Sequence, residues 1–226
     1  MTNTNLMHAR LERTEIKRNT KLDRTTFENA DLHKANFIET QSTRINLRNS
    51  NLRRVDFSRA TLTEPNLQDA DLTRATLSAT KVFRPSSMAG AKIIATTATN
   101  SRWIGTFAAP ISLKNTDLRK STFEGAAFQF VDFKGAIFDR TTDFRNAFFD
   151  GSVQLPRHIA DQIDAKCQHP PAVLSQSDFL AHWLGWLTLN PDWEPAIWQR
   201  LVENEFHDLQ PIAPPIGCLW QNTNHP

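Results

Sequence analysis

Residues 25–84, cut in fives, read TTFEN ADLHK ANFIE TQSTR INLRN SNLRR VDFSR ATLTE PNLQD ADLTR ATLSA TKVFR. The third residue of each block forms a column: Phe27, Leu32, Phe37, Ser42, Leu47, Leu52, Phe57, Leu62, Leu67, Leu72, Leu77 and Val82. Only Ser42 breaks its apolar character. Two places earlier stands a small or β-branched residue, often alanine (Ala30, Ala35, Ala60, Ala70, Ala75), and Asp, Asn or Thr usually lies between the two. A period of five is neither the 3.6 of an amphipathic helix nor the 2 of a strand. Self-similarity at a fixed period marks a solenoid, whose units bury their apolar side only against stacked neighbours.

The unit reads as a short extended piece plus a turn. Alternation sends the central Leu or Phe and the small residue two before it inward. The intervening Asp or Asn points outward, where its side chain can bond nearby backbone and support the turn.

These blocks resemble the pentapeptide-repeat family, whose pattern is roughly Ala-(Asp/Asn)-Leu-x-x; Ala30-Asp31-Leu32 and Ala70-Asp71-Leu72 match it fully. The resemblance implies a mainly β fold, a right-handed parallel quadrilateral β-helix with four blocks per coil. Residues twenty apart then stack on one face. A fold of this kind does not by itself carry a function.

The same spacing reaches back to Leu6, Leu11 and Ile16, with one extra residue near Asn19 that reads as a bulged corner before Leu22. Residues 83–110 follow the pattern least well. Phe83, Met88, Ile93, Ala98, Trp103 and Ala108 hold the spacing of five, but the turn signal Arg84-Pro85-Ser86-Ser87 leaves two readings: a degenerate coil with a loop, or a projecting loop that touches a partner. From Ile111 the repeat returns, with Leu113, Leu118, Phe123, Phe128, Phe133 and Phe138, then a one-residue slip to Phe144 and Phe149. This makes residues 1–150 the β-helix.

Residues 151–226 read as a small, Trp-rich helical segment. Pro156 opens a short helix to about Lys166. Ser177 caps a second helix carrying Leu180, Trp183, Leu184 and Leu187, and Asp192 a third carrying Ile197, Leu201 and Val202. An open β-helix end needs a cover, so these helices are expected to cap the last coil, with a homodimer seam as the alternative for so aromatic a surface.

Net charge is +2, but residues 1–150 hold 23 Lys and Arg against 16 Asp and Glu, or +7, while residues 151–226 hold 3 against 8, or −5. Such asymmetry suggests an interaction surface or attraction between the two parts. Two cysteines, Cys167 and Cys218, do not make a disulfide scaffold. No apolar run reaches a membrane span and the first residues are not of signal-peptide type, so a cytoplasmic, bacterial location is expected, with secretion as an effector as the alternative.

Stacking at intervals of twenty produces one outward cationic column, Lys34, Arg54 and Arg74, joined by Arg13 if the extra residue is absorbed, with His33 and Arg53 beside it. A second column runs Arg24, Arg44, Glu64, Arg84. Like charges about 5 Å apart in water repel by about 0.8 kcal/mol before screening. The column is either a tolerated solvated face or a docking track for an acidic protein surface or for phosphates. Neither base-stacking aromatics nor groove-reading elements accompany it, which argues against direct nucleic-acid binding.

Catalytic signals are poor. Seven glycines form no P-loop or dinucleotide fingerprint. Cys167 and His169 lack the further ligands of a zinc site, and Asp178–His182, spaced i,i+4, reads as a surface hydrogen bond, with His207-Asp208 no stronger. No cofactor or metal is expected. The composite expectation is a non-catalytic protein-binding scaffold, engaging its partner through Lys34, Arg53, Arg54 and Arg74. The family resemblance adds two alternatives: a DNA-mimicking protector of a type II topoisomerase (DNA gyrase) against its poisons, or the recognition module of a secreted effector. The mimics of that family are strongly acidic rods dimerised through C-terminal helices, and a rod of net +7 departs from the first of those features.

Overall fold

The computed structural model describes residues 1–83, 88–104, 107–108, 110–123, 125–144, 147–153, 173–189 and 218–219. The chain winds into a parallel β-solenoid of about six turns. Along one side, β1 (Lys21–Asp23), β2 (Gln41–Thr43), β3 (Thr61–Thr63), β4 (Lys81–Phe83) and β5 (Arg102–Ile104) pair in parallel in that order. A second sheet joins β6 (Phe107–Ala108), β8 (Ala127–Phe128) and β10 (Phe148–Phe149), and a third joins β7 (Ile111–Ser112) to β9 (Val131–Asp132). Isolated parallel bridges such as Asp31↔Asn51↔Asp71 and Asn36↔Asp56↔Thr76 build the remaining sides.

The pentad explains this geometry. Leu32, Leu52 and Leu72 stack inside the tube: Leu32 N–H donates to Asn51 C=O (2.9 Å), and Leu52 N–H to Asp71 C=O (2.9 Å). Ala30, Ala35, Ala60, Ala70 and Ala75 are buried beside the large side chains, as alternation requires. Between them, the outward Asp or Asn accepts the backbone N–H two residues on: His33 N–H to Asp31 Oδ1 (3.0 Å), Ser58 N–H to Asp56 Oδ1 (2.8 Å), Gln68 N–H to Asn66 Oδ1 (3.1 Å). These Asx bonds hold each corner. Where the corner closes as a β-turn, as from Ala35 N–H to Leu32 C=O (2.9 Å), its third residue takes positive φ, the type II requirement.

Three register shifts interrupt the stacking, the last where Asp117 bridges Ile137, twenty residues on, but Thr122 bridges Asp143, twenty-one on, which is the slip expected before Phe144. Glu15 bridges Asn36, twenty-one residues on, whereas Asn36 bridges Asp56, twenty on, so one extra residue is absorbed between Ile16 and Leu22, where Thr20 N–H closes on Lys17 C=O (3.1 Å). The second shift pairs Val82 with Trp103. Val82 is therefore the inward residue and Phe83 the half-buried outward one, with the Arg102 guanidinium 5.8 Å from its ring centre. Core register resumes at Met88, Ile93, Ala98 and Trp103. Arg84 to Ser87, the expected loop, lie outside the described residues.

The last coils are filled by rings. Phe123 stacks on Phe144 (4.9 Å between centroids, 13° between planes), and Phe128, Phe133 and Phe138 meet neighbouring rings edge-on or tilted at 5.7 Å. Beyond them α1 (Gln176–Leu189) sets Phe179 against Phe148 at 5.1 Å. Phe179, Trp183 and Leu184 are fully buried. The helix is capped by Ser175 rather than Ser177: Asp178 N–H donates to Ser175 Oγ (3.1 Å), and Ser175 Oγ donates back to Asp178 Oδ2 (2.7 Å). The first bond is that of a capping box, and the acidic residue three places in fixes the cap by accepting from its hydroxyl rather than from its backbone N–H. β11 (Cys218–Leu219) pairs antiparallel with β10. The expected helices at 156–166 and from Asp192 lie outside the described residues, as do Trp193, Trp198, Trp220, Cys167, His169, His207 and Asp208. No helix among the described residues is long and apolar enough to cross a membrane.

Candidate functional site

The cationic column exists as a corner of the solenoid, and Arg13 belongs to it. Successive coils interlock at this corner: Arg13 N–H donates to His33 C=O (2.9 Å), Lys34 N–H to Arg53 C=O (3.0 Å), and Arg54 N–H to Thr73 C=O (3.1 Å). Arg13, Lys34, Arg54 and Arg74 share one backbone conformation, φ 56°, 60°, 57° and 60°. Equal φ at equivalent turn positions directs their Cα–Cβ bonds the same way, so the four side chains leave the rod as rungs about 4.8 Å apart. The next corners below carry Ala95, Asn115 and Gly135, which ends the ladder at Arg74.

A shallow depression runs beside these rungs, lined by Glu12, Asp31, His33, Asn51, Arg53, Arg54, Thr73 and Arg74. Of the expected residues, Arg53, Arg54 and Arg74 therefore meet around one surface, with Lys34 on the same corner. Glu12, Asp31, Asn51 and Thr73 were missed by the charge pattern. Asp31 and Asn51 stand one place before the central leucines, and only the stacking register brings that column beside the corner. Their polar atoms are already engaged: Asp31 Oδ1 accepts from His33 N–H and from Asn51 Nδ2 (3.0 Å), and Thr73 Oγ1 donates to Asp71 Oδ1 (2.5 Å).

Several cations elsewhere on the rod are neutralised. Arg44 Nε meets Glu64 Oε2 at 2.7 Å in the second column, and this bond holds the Arg44 guanidinium above its ordinary range. Glu39 takes Arg59 Nε at 2.8 Å and Arg18 at 3.8 Å. Arg119 meets Asp117 (2.6 Å) and Lys114 meets Asp132 (2.9 Å), each carboxyl being drawn down first by that hydrogen bond. Among the described residues, no ion pair involves Arg13, Lys34, Arg53, Arg54 or Arg74. The ladder is thus a run of like charge with its guanidinium donors free, and each rung faces repulsion of order 0.8 kcal/mol from its neighbour before screening.

Asp178 and His182 do not stand as an exposed pair: Asp178 is spent on the Ser175 cap, and His182 is buried. No group of His, Cys, Asp or Glu among the described residues is placed to hold a metal ion.

Comparison with known proteins gives the following. Residues 18–41, 43–78 and 111–140 match the family model for pentapeptide repeats, in eight copies. No curated protein matches the chain in sequence. Among solved structures, HetL, a pentapeptide repeat protein involved in heterocyst differentiation regulation from the cyanobacterium Nostoc sp. strain PCC 7120, is similar at 20% identity and TM-score 0.36, covering 68% of this chain and 89% of that chain. Full-length QnrB1, a plasmid-mediated fluoroquinolone resistance protein, is similar at 14% identity and TM-score 0.34, covering 68% of this chain and 85% of that chain.

Proposed function

The chain is a pentapeptide-repeat protein, and from that premise we propose that it is a non-catalytic scaffold that docks an acidic protein surface on its cationic corner. One observation carries the reading. Four cations follow one another on successive coils with no carboxylate paired to any of them among the described residues, while Arg44, Arg59 and Arg119 elsewhere on the rod are each matched to an acid. Placing like charges in line lowers stability, and the rest of the rod has the means to neutralise them. A partner that brings the missing carboxylates relieves the repulsion, and complementary charge raises the encounter rate and selects the partner. The topoisomerase reading draws no such support: in no column of described residues do carboxylates follow one another on two successive coils, so there is no anionic rail resembling a DNA strand.

The experiment is titration of a fluorescent poly-glutamate chain, unstructured at neutral pH, with the protein at low and at physiological salt. The wild type binds and weakens with salt. Lys34→Glu, Arg54→Glu and Arg74→Glu together lower affinity at least about tenfold. A control with the same charge change elsewhere, Lys81→Glu, Lys92→Glu and Arg102→Glu, keeps most of it. No binding by the wild type, or equal loss in both triple variants, rejects the ladder as the docking site.

A further inference from the structure

The ladder has a period, and a period selects a shape. Its four rungs span three coil spacings, about 14 Å in all. A carboxylate stripe on one side of an α-helix repeats each turn, so four acids at i, i+4, i+7 and i+11 span about 16 Å. The mismatch of about 2 Å is spread over three gaps, well within the reach of Lys and Arg stems. Acids on one face of an extended strand recur about every 6.7 Å and would overrun the ladder by about 6 Å. Phosphates on a duplex strand advance about 3.4 Å per base pair along the axis, but wind away from a straight rail within a few pairs.

The side chains are arranged for a cylinder lying lengthwise. The rungs share φ and so point in parallel. The depression at their side has its wall groups satisfied among themselves, as Asp31 with Asn51 and Thr73 with Asp71, leaving the guanidiniums of Arg53, Arg54 and Arg74 as its open donors. Glu12, at the upper end of the depression, repels a carboxylate set too high and so biases the register.

We infer that the occupant of this corner is an acidic α-helix of a partner protein, laid along the rod with one carboxylate per coil. This rests on the reading of the corner as a docking site for acidic protein, and goes beyond it by fixing the partner's secondary structure and the spacing of its acids.

The test uses two alanine-rich, N-capped peptides of equal length, net charge and helicity, the last matched by circular dichroism. One carries Glu at i, i+4, i+7 and i+11; the other spreads four Glu round the helix. Binding to the full chain is followed by fluorescence anisotropy at low salt, with a short DNA duplex as a third ligand. The striped peptide should bind about tenfold more tightly than the dispersed one, the worth of two or three additional exposed ion pairs. That preference should vanish in the Lys34, Arg54 and Arg74 charge-reversed variant, whose melting temperature confirms that it folds. Equal affinity for both peptides overturns the helix inference, even where poly-glutamate binding still supports an acidic partner. A duplex bound more tightly than the striped peptide overturns it in favour of nucleic acid. Failure of peptides and poly-glutamate alike removes the docking site itself.

Discussion

Asp69 lays its carboxylate over Gly90 on the next coil, in the space that a β-carbon at position 90 would need. Gly90 has φ 73°, like the other corners. Positive φ alone does not demand glycine here, since Ala79 and Ala95 sit at 56° and 52° in equivalent turns. The contact from above does. Gly90→Ala should cost about 1–3 kcal/mol, combining the left-handed penalty for a β-carbon with displacement of Asp69. In an Asp69→Ala background the cost should fall toward the left-handed penalty alone. A double-mutant cycle by thermal or denaturant melting measures the difference. Additive effects would mean that the two residues do not press on each other. Asn115 and Gly135 repeat the arrangement two coils apart from it and offer the same cycle.

Ser42 is the one polar residue in the column running from Leu22 to Leu62 and Val82, and it is buried with no hydrogen-bond partner for its hydroxyl. Thr40, two places before, shows the contrast, donating to Phe37 C=O at 2.8 Å. A buried, unsatisfied hydroxyl costs about 1–3 kcal/mol. Ser42→Ala should therefore raise stability by about 1 kcal/mol, a shift of a few degrees in melting temperature for a chain of this size. Leu52→Ala, in the well-packed column two sides further round the coil, should lose about 2–5 kcal/mol. A lower melting temperature for Ser42→Ala would show that the hydroxyl has a partner after all.

The coil was legible because its code is local. Each block writes its own inward residue, its own Asx acceptor and its own turn, so a period of five along the chain becomes the stacking of Leu32, Leu52 and Leu72 without any long-range information. The ladder followed from the same arithmetic, including Arg13 once the extra residue near Asn19 was absorbed. What the sequence concealed depends on pairing between coils. Val82 and Phe83 are adjacent and both apolar, and only the register with Trp103 decides which faces in. Glu12 and Asp31 escaped notice for the same reason, as their place beside the arginines is a matter of neighbouring coils. The helix cap was misplaced by two residues because Ser175 and Ser177 are chemically equal candidates, separated only by the reciprocal bond from Asp178.

Acid should loosen the lower coils first. Asp117 and Asp132 have carboxyls drawn below the ordinary range, chiefly by hydrogen bonds from Arg119 and Lys114. For Asp139, burial pushes the other way but is outweighed by bonds from Thr141, Thr142 and the Lys120 N–H. In each case the folded group holds its proton less tightly than the unfolded one. Between the two pKa values the unfolded chain binds more protons, so stability rises with pH there. The contribution is complete above the unfolded value of about 3.9 and is lost as pH falls through the folded values. Melting temperature should thus change little from neutral pH to about 5 and drop below about 4. Asn at all three positions keeps the turn acceptor, as Asn36 and Asn66 do, but removes the titration. The triple Asn variant should start lower and fall less steeply in acid. Parallel curves for wild type and variant would place the acid sensitivity elsewhere.

The junction between the last coil and α1 turns on Asp150. Its Oδ2 accepts from Leu174 N–H (3.0 Å) and from Gln129 Nε2 (3.0 Å), and its Oδ1 accepts from Ser152 N–H (2.9 Å) and the Ser152 hydroxyl. Gln129 Nε2 also reaches Leu174 C=O (3.0 Å), so the carboxylate and the amide together grip the residue just before the Ser175 cap. Asp150 and Gln129 are both buried, so loss of the carboxylate strands the buried Gln129 amide and leaves the part-buried Leu174 and Ser152 donors unpaired. Asp150→Ala should cost about 2–4 kcal/mol by leaving them unpaired. Its effect should be regional: amide exchange should quicken across residues 174–185 while the coils around Leu52 and Leu72 keep their protection. Asp150→Asn retains one acceptor oxygen and should fall between the two. Uniform loss of protection along the whole rod would show instead that the helix and the solenoid unfold as one unit, and that Asp150 supports both rather than fastening one to the other.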